Sequence, residues 1–360
     1  MPNTRVISAA AAILEATEQC LEADPRVYVM GEGVSDPKGI FGTTLGLAEK
    51  WGPDRIVEMP IAENGLTGIA IGSALLGRRP LMVHQRVDFA LLALEQLFNN
   101  AAKTFFVTQG AHRVPLTVRM IIGRGWGQGP EHSQALEPLF AHIPGLKVVM
   151  PATPYDAKGM LIAAMDDDNP VIILEHRWMH YATGHVPPER YAVSLTGPQR
   201  VREGSSVTIV ATSYNVLEAI EAVDAMAACG VTADLFDLRA LRPLEIDPIF
   251  DSVRRSGRLV ILDTGWMLYG IGAEIAARST EACFTALKAA PRRLGLPEYP
   301  TPSSRGLIGN FYPNSSRVIE TVIDLIPDAR EPLSAALATV EKHRATVSAD
   351  LPHPAFKGPF

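Results

Sequence analysis

Cysteine is scarce in this chain: Cys20, Cys229 and Cys283 are the only three in 360 residues, with no CxxC spacing and no His pair beside them. A disulfide framework and a cysteine-based zinc site are therefore not expected, and reduced thiols in a cytoplasmic protein are. Basic runs are also missing. Lys and Arg total 33 against 39 Asp and Glu, a formal net charge of −6, so nothing is placed to neutralise a phosphate backbone and no nucleic-acid partner is expected. No apolar run approaches the roughly 20 residues that cross a bilayer. The N-terminal segment, Asn3-Thr4-Arg5 followed by a helical pattern with Glu15, Glu18 and Glu22, reads as neither a signal nor a transit peptide, and no membrane partner is expected. Two phosphate-loop patterns are incomplete. Gly270-Ile271-Gly272 carries Ile275 where the dinucleotide fingerprint needs its last glycine, and Gly123-Arg124-Gly125-Trp126-Gly127-Gln128-Gly129 has no Gly-Lys-Ser/Thr ending and runs into Pro130-Glu131-His132.

What is present is alternation. Strand-like runs at Val27 to Gly31, Arg55 to Met59, Leu81 to His84, Leu116 to Met120, Lys147 to Met150 and Val171 to Leu174 are separated by helical patterns, which predicts an α/β fold with a mainly parallel sheet. The chain also exceeds the roughly 250 to 300 residues at which one core stops growing. The pattern lapses near Pro187-Pro188 and Gly197-Pro198 and resumes at Val207. Expected boundaries are a first domain over residues 1–185, a linker over 186–205, a second α/β domain over 206–328, and a helical, Pro-containing extension over 329–360.

Glu63 is the residue best placed for chemistry. It lies in Met59-Pro60-Ile61-Ala62-Glu63-Asn64-Gly65, where a short strand is stopped by Pro60 and a slim helix with Gly65, Gly68 and Gly72 begins. An acid in a first helical turn also serves simply to complement the helix dipole. His132 reads either as a general acid/base or as a solvated loop residue, and the Gly-rich loop before it as a substrate loop. Phe89 opens a helix, where an aromatic is ordinarily core. Asp166-Asp167-Asp168-Asn169 reads either as a solvated helix end or as an oxygen-rich cation site.

Taken in order, Pro60-Ile61-Ala62-Glu63-Asn64-Gly65, Asn100-Ala101-Ala102-Lys103-Thr104, Glu131-His132-Ser133-Gln134, Pro144-Gly145-Leu146-Lys147-Val148-Val149, Asp156-Ala157-Lys158-Gly159, Asn169-Pro170-Val171, Asp237-Leu238-Arg239 and Arg242-Pro243-Leu244 resemble the β-subunit of the thiamine diphosphate-dependent, decarboxylating component of the 2-oxoacid dehydrogenases. The resemblance spans roughly Val6 to Ile326. It implies a transketolase-like pyrimidine-binding domain, with helices on both faces of its parallel sheet, followed by the transketolase C-terminal domain. It further implies thiamine diphosphate as cofactor, with Glu63 hydrogen-bonding a pyrimidine ring nitrogen, Phe89 packing on that ring, Ile61 and Gln85 lining the pocket, and His132 beside the substrate. Leu116, Ala164, Asp167 and Asn169 match a potassium site of some members. Because the family's metal-binding Gly-Asp-Gly is absent, Mg²⁺ and diphosphate are expected to be held by an α-subunit in an α₂β₂ heterotetramer, with a 2-oxoacid as substrate and a lipoyl acyltransferase as further partner.

Departures fall on the substrate side. Met120-Ile121-Ile122 stands where a Gly and Pro are common, Arg86 and Leu92 occupy pocket-side positions, and Asp263-Thr264 replaces an acidic pair. These leave open a two-subunit transketolase or acyloin-forming enzyme with a carbonyl acceptor, and a non-catalytic structural subunit.

Overall fold

The computed structural model of the chain describes residues 5–123, 127–309 and 311–347. In the first half the strands are β1 (Val6–Ser8), β2 (Val27–Gly31), β3 (Ile56–Glu58), β4 (Arg79–His84), β5 (Thr117–Ile122), β6 (Lys147–Val149), β7 (Val171–His176) and β8 (Thr183–His185). The second half holds β9 (Gln199–Arg202), β10 (Val207–Ala211), β11 (Ala233–Asp237), β12 (Ala240–Arg242), β13 (Leu259–Trp266) and β14 (Arg292–Leu296). The α-helices of the first half are α1 (Ala9–Ala23), α2 (Leu47–Trp51), α3 (Glu63–Leu75), α4 (Val87–Ala90), α5 (Ala102–Val107), α6 (Glu137–Ala141) and α7 (Pro154–Asp166). Those of the second are α8 (Asn215–Ala228), α9 (Asp247–Ser256), α10 (Ile271–Cys283), α11 (Ser315–Leu325) and α12 (Arg330–Arg344).

The first sheet has the order β12-β6-β7-β5-β4-β2-β3, parallel except for β12. Its strands are buried on both faces, which is why they read as continuous apolar runs. Val29, Leu81, Val83, Ile121 and Ile173 pack with α1 and α7 on one side, while Tyr28, Met30, Met82, Met120 and Leu174 pack with Ala70, Ile71 and Ala74 of α3 on the other. Helices thus cover both faces, as the resemblance implies. The second sheet, β14-β13-β10-β11-β9, is parallel except for β9. One of its faces meets α8, α11 and α12. The other joins the core of the first half through Val210, Phe236, Ile249, Ile261 and Ile275.

Two details differ from the sequence reading. β9 falls inside the expected linker yet pairs with β11, and β12, from the second half, closes the edge of the first sheet against β6. The halves are therefore stitched by backbone as well as by side chains. Arg239 beside β12 pairs with Asp156 of α7 at 2.7 Å, and the fully buried Lys158 of α7 reaches Glu15 of α1 at 2.5 Å and the carbonyls of Pro187 at 2.7 Å and Pro188 at 3.2 Å. The extension folds back on its own chain: Leu333, Ala336 and Val340 of α12 enter the core with α8 and α11, and Arg344 meets Glu218 at 3.2 Å. Cys20 and Cys283 are buried, Cys229 is half-buried, and all three are free thiols.

Between the halves lies a pair of buried carboxyl groups. Glu137 opens α6, and Asp263 of β13 hydrogen-bonds it. Thr264 Oγ1 donates to Glu137 Oε1 at 3.0 Å, and the Gly272 N–H at the start of α10 donates to Asp263 Oδ2 at 2.9 Å. Burial, and then the charge of Asp263, push the Glu137 carboxyl well above the ordinary glutamate range, so Glu137 keeps its proton more tightly in the folded chain. A group that binds its proton more tightly folded than unfolded contributes stability that fades as pH rises through its folded pKa. Stability is therefore expected to fall as pH rises above the ordinary glutamate range, and Glu137→Gln, which keeps the donor without the charge, is expected to flatten that slope in urea titrations. An unchanged slope in the variant sinks the assignment.

Candidate active site

In open parallel sheets ligands settle beyond the carboxyl ends of the strands where strand order reverses. Here that place is the crevice between β2 and β4, because the chain goes from β2 out to β3 and then back across to β4. Gly31 ends β2 so close to β4 that a Cβ there would strike the Val83 carbonyl. Glu32 follows it, and Gln85, just after β4, spans the crevice by donating from Nε2 to the Glu32 carbonyl at 2.9 Å. β3 is stopped at Met59-Pro60, and α3 then starts at Glu63, a residue 5% exposed at the positive end of the helix. Burial, and next the charges of Glu63 and Glu58, push the Glu32 carboxyl up. Glu58 itself is spent on the loop after β2, accepting from the N–H groups of Gly33 at 2.5 Å and Ser35 at 2.9 Å.

A second group gathers beside this one. Phe89 on α4 and His132 meet edge to face, with ring centroids 5.1 Å apart and an interplanar angle of 81°. Asp88 Oδ1 accepts from Gln134 Nε2 at 2.8 Å, which ties the His132 loop to α4. Burial pushes the Asp88 carboxyl up. A groove of about 770 Å³ continues from Phe89, Glu131 and Gln134 of the first half to Trp266, Glu298 and Tyr299 of the second.

The expected site residues divide accordingly. Glu63 and Gln85 converge on Glu32, and Phe89 and His132 touch. Ile61, expected to line the pocket, is 83% exposed. Phe89, 40% exposed, likewise offers a ring face in place of filling the core. Of the Gly-rich loop, Arg124, Gly125 and Trp126 lie outside the described residues. The suggested cation group sits elsewhere. Leu116 and Asn169 precede β5 and β7, so Leu116, Ala164, Asp167 and Asn169 gather at the amino ends of the strands, roughly 20 Å of strand away from the crevice. Their oxygens are engaged there: Leu116 O accepts from Val171 N at 3.0 Å, Ala164 O from Asp167 N at 3.2 Å, and Asp167 pairs with Lys147.

Sequence reasoning missed Glu32, although an acid directly after the apolar run ending at Gly31 was a readable signal. It also missed that Arg86 and Arg177 come together. Nothing local announces a meeting of side chains 91 positions apart.

Comparison with known proteins places this geometry. Residues 5–180 match the transketolase pyrimidine binding domain and residues 198–318 the transketolase C-terminal domain. The β-subunit of acetoin:2,6-dichlorophenolindophenol oxidoreductase from Cupriavidus necator is 38% identical over 87% of this chain and 96% of its own length. The pyruvate dehydrogenase E1 component β-subunit of Rickettsia felis is 35% identical over 86% of this chain and 95% of its own.

The chain belongs to the family of β-subunits of thiamine diphosphate-dependent 2-oxoacid dehydrogenases.

The mitochondrial pyruvate dehydrogenase E1 β-subunit of Bos taurus, 34% identical over 88% of this chain and 90% of its own length, adds a eukaryotic member. Fold likeness reaches further: a split gene transketolase, described as an inactive beta4 tetramer, superposes with a TM-score of 0.68 at 20% identity over 92% of this chain and 98% of that one. Membership brings thiamine diphosphate and an α-subunit with it. The crevice fits the pyrimidine end of that cofactor, since it offers a buried carboxyl, a side-chain amide and an exposed aromatic face side by side. It does not fit the other end: among the described residues no group of three or more His, Cys, Asp or Glu could hold a metal. Nor, among the described residues, is any helix long and apolar enough to cross a membrane.

Proposed function

We propose that this chain, joined to an α-subunit in an α₂β₂ assembly, forms the half-site of an enzyme that decarboxylates a 2-oxoacid and passes the acyl group to the lipoyl carrier of an acyltransferase. The observation that carries this is Glu63, a buried acid at a helix start on the sheet's switch point, next to a free aromatic face. Thiamine diphosphate, when bound, takes up the electron pair left as the carboxylate departs. With the cofactor bound, Glu63 would hold a proton at a pyrimidine ring nitrogen, Gln85 and Ile61 would line the pocket, and Phe89 would supply an aromatic packing surface, a contact worth about 0.5 to 1.5 kcal/mol. His132, steered by Phe89 and the Asp88–Gln134 tie, gives or takes a proton at the substrate. The two electrons released reduce the lipoyl disulfide, which closes the redox balance.

Mg²⁺ and the diphosphate belong to the partner in this scheme, supported by the missing Gly-Asp-Gly. A potassium ion at Leu116, Ala164, Asp167 and Asn169 serves structure, not chemistry, given the distance of that corner from Glu63, and it shares Asp167 with Lys147. The name of the relative from Cupriavidus necator supports a second reading, in which acetoin or another hydroxyketone is the donor.

The test is dye reduction by the chain alone and by the complex copurified with its α-subunit. Activity is expected only for the complex, with 2-oxoacids and not with acetoin, and with acyl transfer when a lipoyl domain is supplied. Turnover by the chain alone, or of acetoin in preference to every 2-oxoacid, overturns the proposal.

A further inference from the structure

The two arginines that rise beside the crevice are not accounted for by any of these steps. Arg86 follows the carboxyl end of β4 and caps α4, three residues before Phe89; Arg177 follows the carboxyl end of β7. They are 3% and 1% exposed, respectively. Both guanidinium groups lie on one aromatic ring, Arg177 at 4.1 Å and Arg86 at 6.0 Å from the Phe41 centroid, and Phe41 holds that position in the left-handed region, at φ 52°. Gln128 bridges them: its Oε1 accepts from Arg86 Nη2 and, at 3.4 Å, from Arg177 Nη1. Arg86 also donates to the Gly123 carbonyl at 3.4 Å. Among the described residues no carboxylate lies within ion-pair distance of Arg86, and the nearby Asp88 spends its Oδ1 on Gln134.

Arg86 has the Gly123 carbonyl and Arg177 the Tyr181 hydroxyl as further partners, but two like charges drawn out of water and meeting at one neutral amide oxygen still form a costly arrangement for a protein interior. Burial, and then the charge of Arg177, pull the Arg86 guanidinium down to about 10, and burial does the same to Arg177. Both stay charged at neutral pH. An amide oxygen that accepts from two guanidinium groups stands where an anionic oxygen is the stronger partner, and the planar arginine fork is built for carboxylate.

We propose that Arg86 and Arg177 form an anion subsite in which a second carboxylate of the substrate, remote from the reacting carbon, takes the place of the Gln128 side-chain oxygen.

The subsite suits a remote carboxylate and not the one that departs. Gripping the scissile carboxylate with two buried cations stabilises the ground state and loses that contact as its charge disperses, which raises the barrier; gripping a remote group leaves the barrier untouched and contributes binding and orientation. A neutral hydroxyketone has nothing to offer the pair. The ligand's identity rests on the 2-oxoacid reading, whereas the subsite itself does not.

Two measurements on the copurified complex separate these. The first compares kcat/KM for 2-oxoglutarate and 2-oxopentanoate, equal in chain length and differing in the terminal carboxylate. A preference for the diacid of at least about tenfold is expected, collapsing toward parity in Arg86→Gln; a monoacid preference in the native complex, or a ratio that Arg86→Gln does not change, overturns the proposal. The second is calorimetric titration with glutarate against pentanoate, which needs no turnover and so decides the subsite even if neither oxoacid reacts. Glutarate is expected to bind the native complex at least about tenfold more tightly than pentanoate. Gln128→Glu, nearly isosteric, fills the subsite with an internal carboxylate and is expected to raise the melting temperature while abolishing glutarate binding. No glutarate binding to the native complex, or binding that survives Gln128→Glu, overturns it as well.

Discussion

Replacing Glu63 with Gln is expected to lower kcat of the assembled enzyme about 10²- to 10⁴-fold, the range in which a positioned acid or base contributes, with thiamine diphosphate still bound. Glu63 lies at the start of α3 and is 5% exposed, and Glu32 is itself pushed toward its neutral form by burial and by the charge of Glu63. Glutamine keeps the volume and a hydrogen bond but cannot hand a proton on. Loss in kcat at saturating cofactor therefore separates proton handling from binding. Reductive acylation of a lipoyl domain that continues at the native rate in Glu63→Gln would remove Glu63 from the chemistry and leave it the ordinary task of meeting a helix dipole. The contrast with Glu32→Gln is informative too, since that residue has no helix start of its own and reaches Gln85 only through its backbone carbonyl.

How far such residues could be recognised in advance follows from what is local and what is not. β2 is Val27–Gly31 as its apolar run predicts, and β7 runs beyond the expected Leu174 to His176 because Glu175 finds a buried partner. Glu63 was legible because a strand end, a proline and a small-residue helix lie next to one another in sequence. β12 was not: three residues after a motif read as part of the second domain join the first sheet through pairing with β6, and no local propensity encodes a partner about 90 residues away. β9 was lost in the same way among the turn residues of the linker. How open Ile61 stands was not legible for a related reason. An exposed isoleucine and a half-open Phe89 ring next to a buried acid make physical sense as half of a pocket, and a chain read alone does not show which of its apolar residues another chain covers.

Removing the carboxylate of Glu175 is expected to cost about 3 to 5 kcal/mol of stability, the range found when one partner of a buried ion pair is deleted. Glu175 of β7 and Arg119 of β5 lie diagonally across adjacent strands, on one face of the sheet. Both are buried, and the pair is bidentate, Arg119 Nε to Oε1 at 2.5 Å and Nη2 to Oε2 at 2.8 Å. His180 Nε2 lies 2.9 Å from Glu175 Oε2. A carboxylate only accepts, so Nε2 carries the proton; burial pulls His180 below its usual range, leaving it neutral. Burial alone pushes Glu175 up, but the Arg119 charge and the hydrogen bonds from Arg119 and His180 outweigh it and hold the carboxyl at about 2. A depressed acid contributes stability that is fully present above its unfolded value and lost as pH falls toward the folded one, so the native chain should weaken as pH drops from about 4.5 toward about 2. Glu175→Ala strands Arg119 and should show a large drop in the urea midpoint at neutral pH together with a shallower acid limb. The double variant Arg119→Met, Glu175→Leu is expected to regain most of that loss, because well-packed apolar side chains replace a buried pair at little net cost. A single variant as stable as the native chain would show that water reaches Arg119. Recovery in the double variant would place the cost in the stranded guanidinium. Because Arg177 follows β7 directly, glutarate binding measured in the same variant shows whether the anion subsite depends on this buried pair, and it should survive if Glu175 serves stability alone.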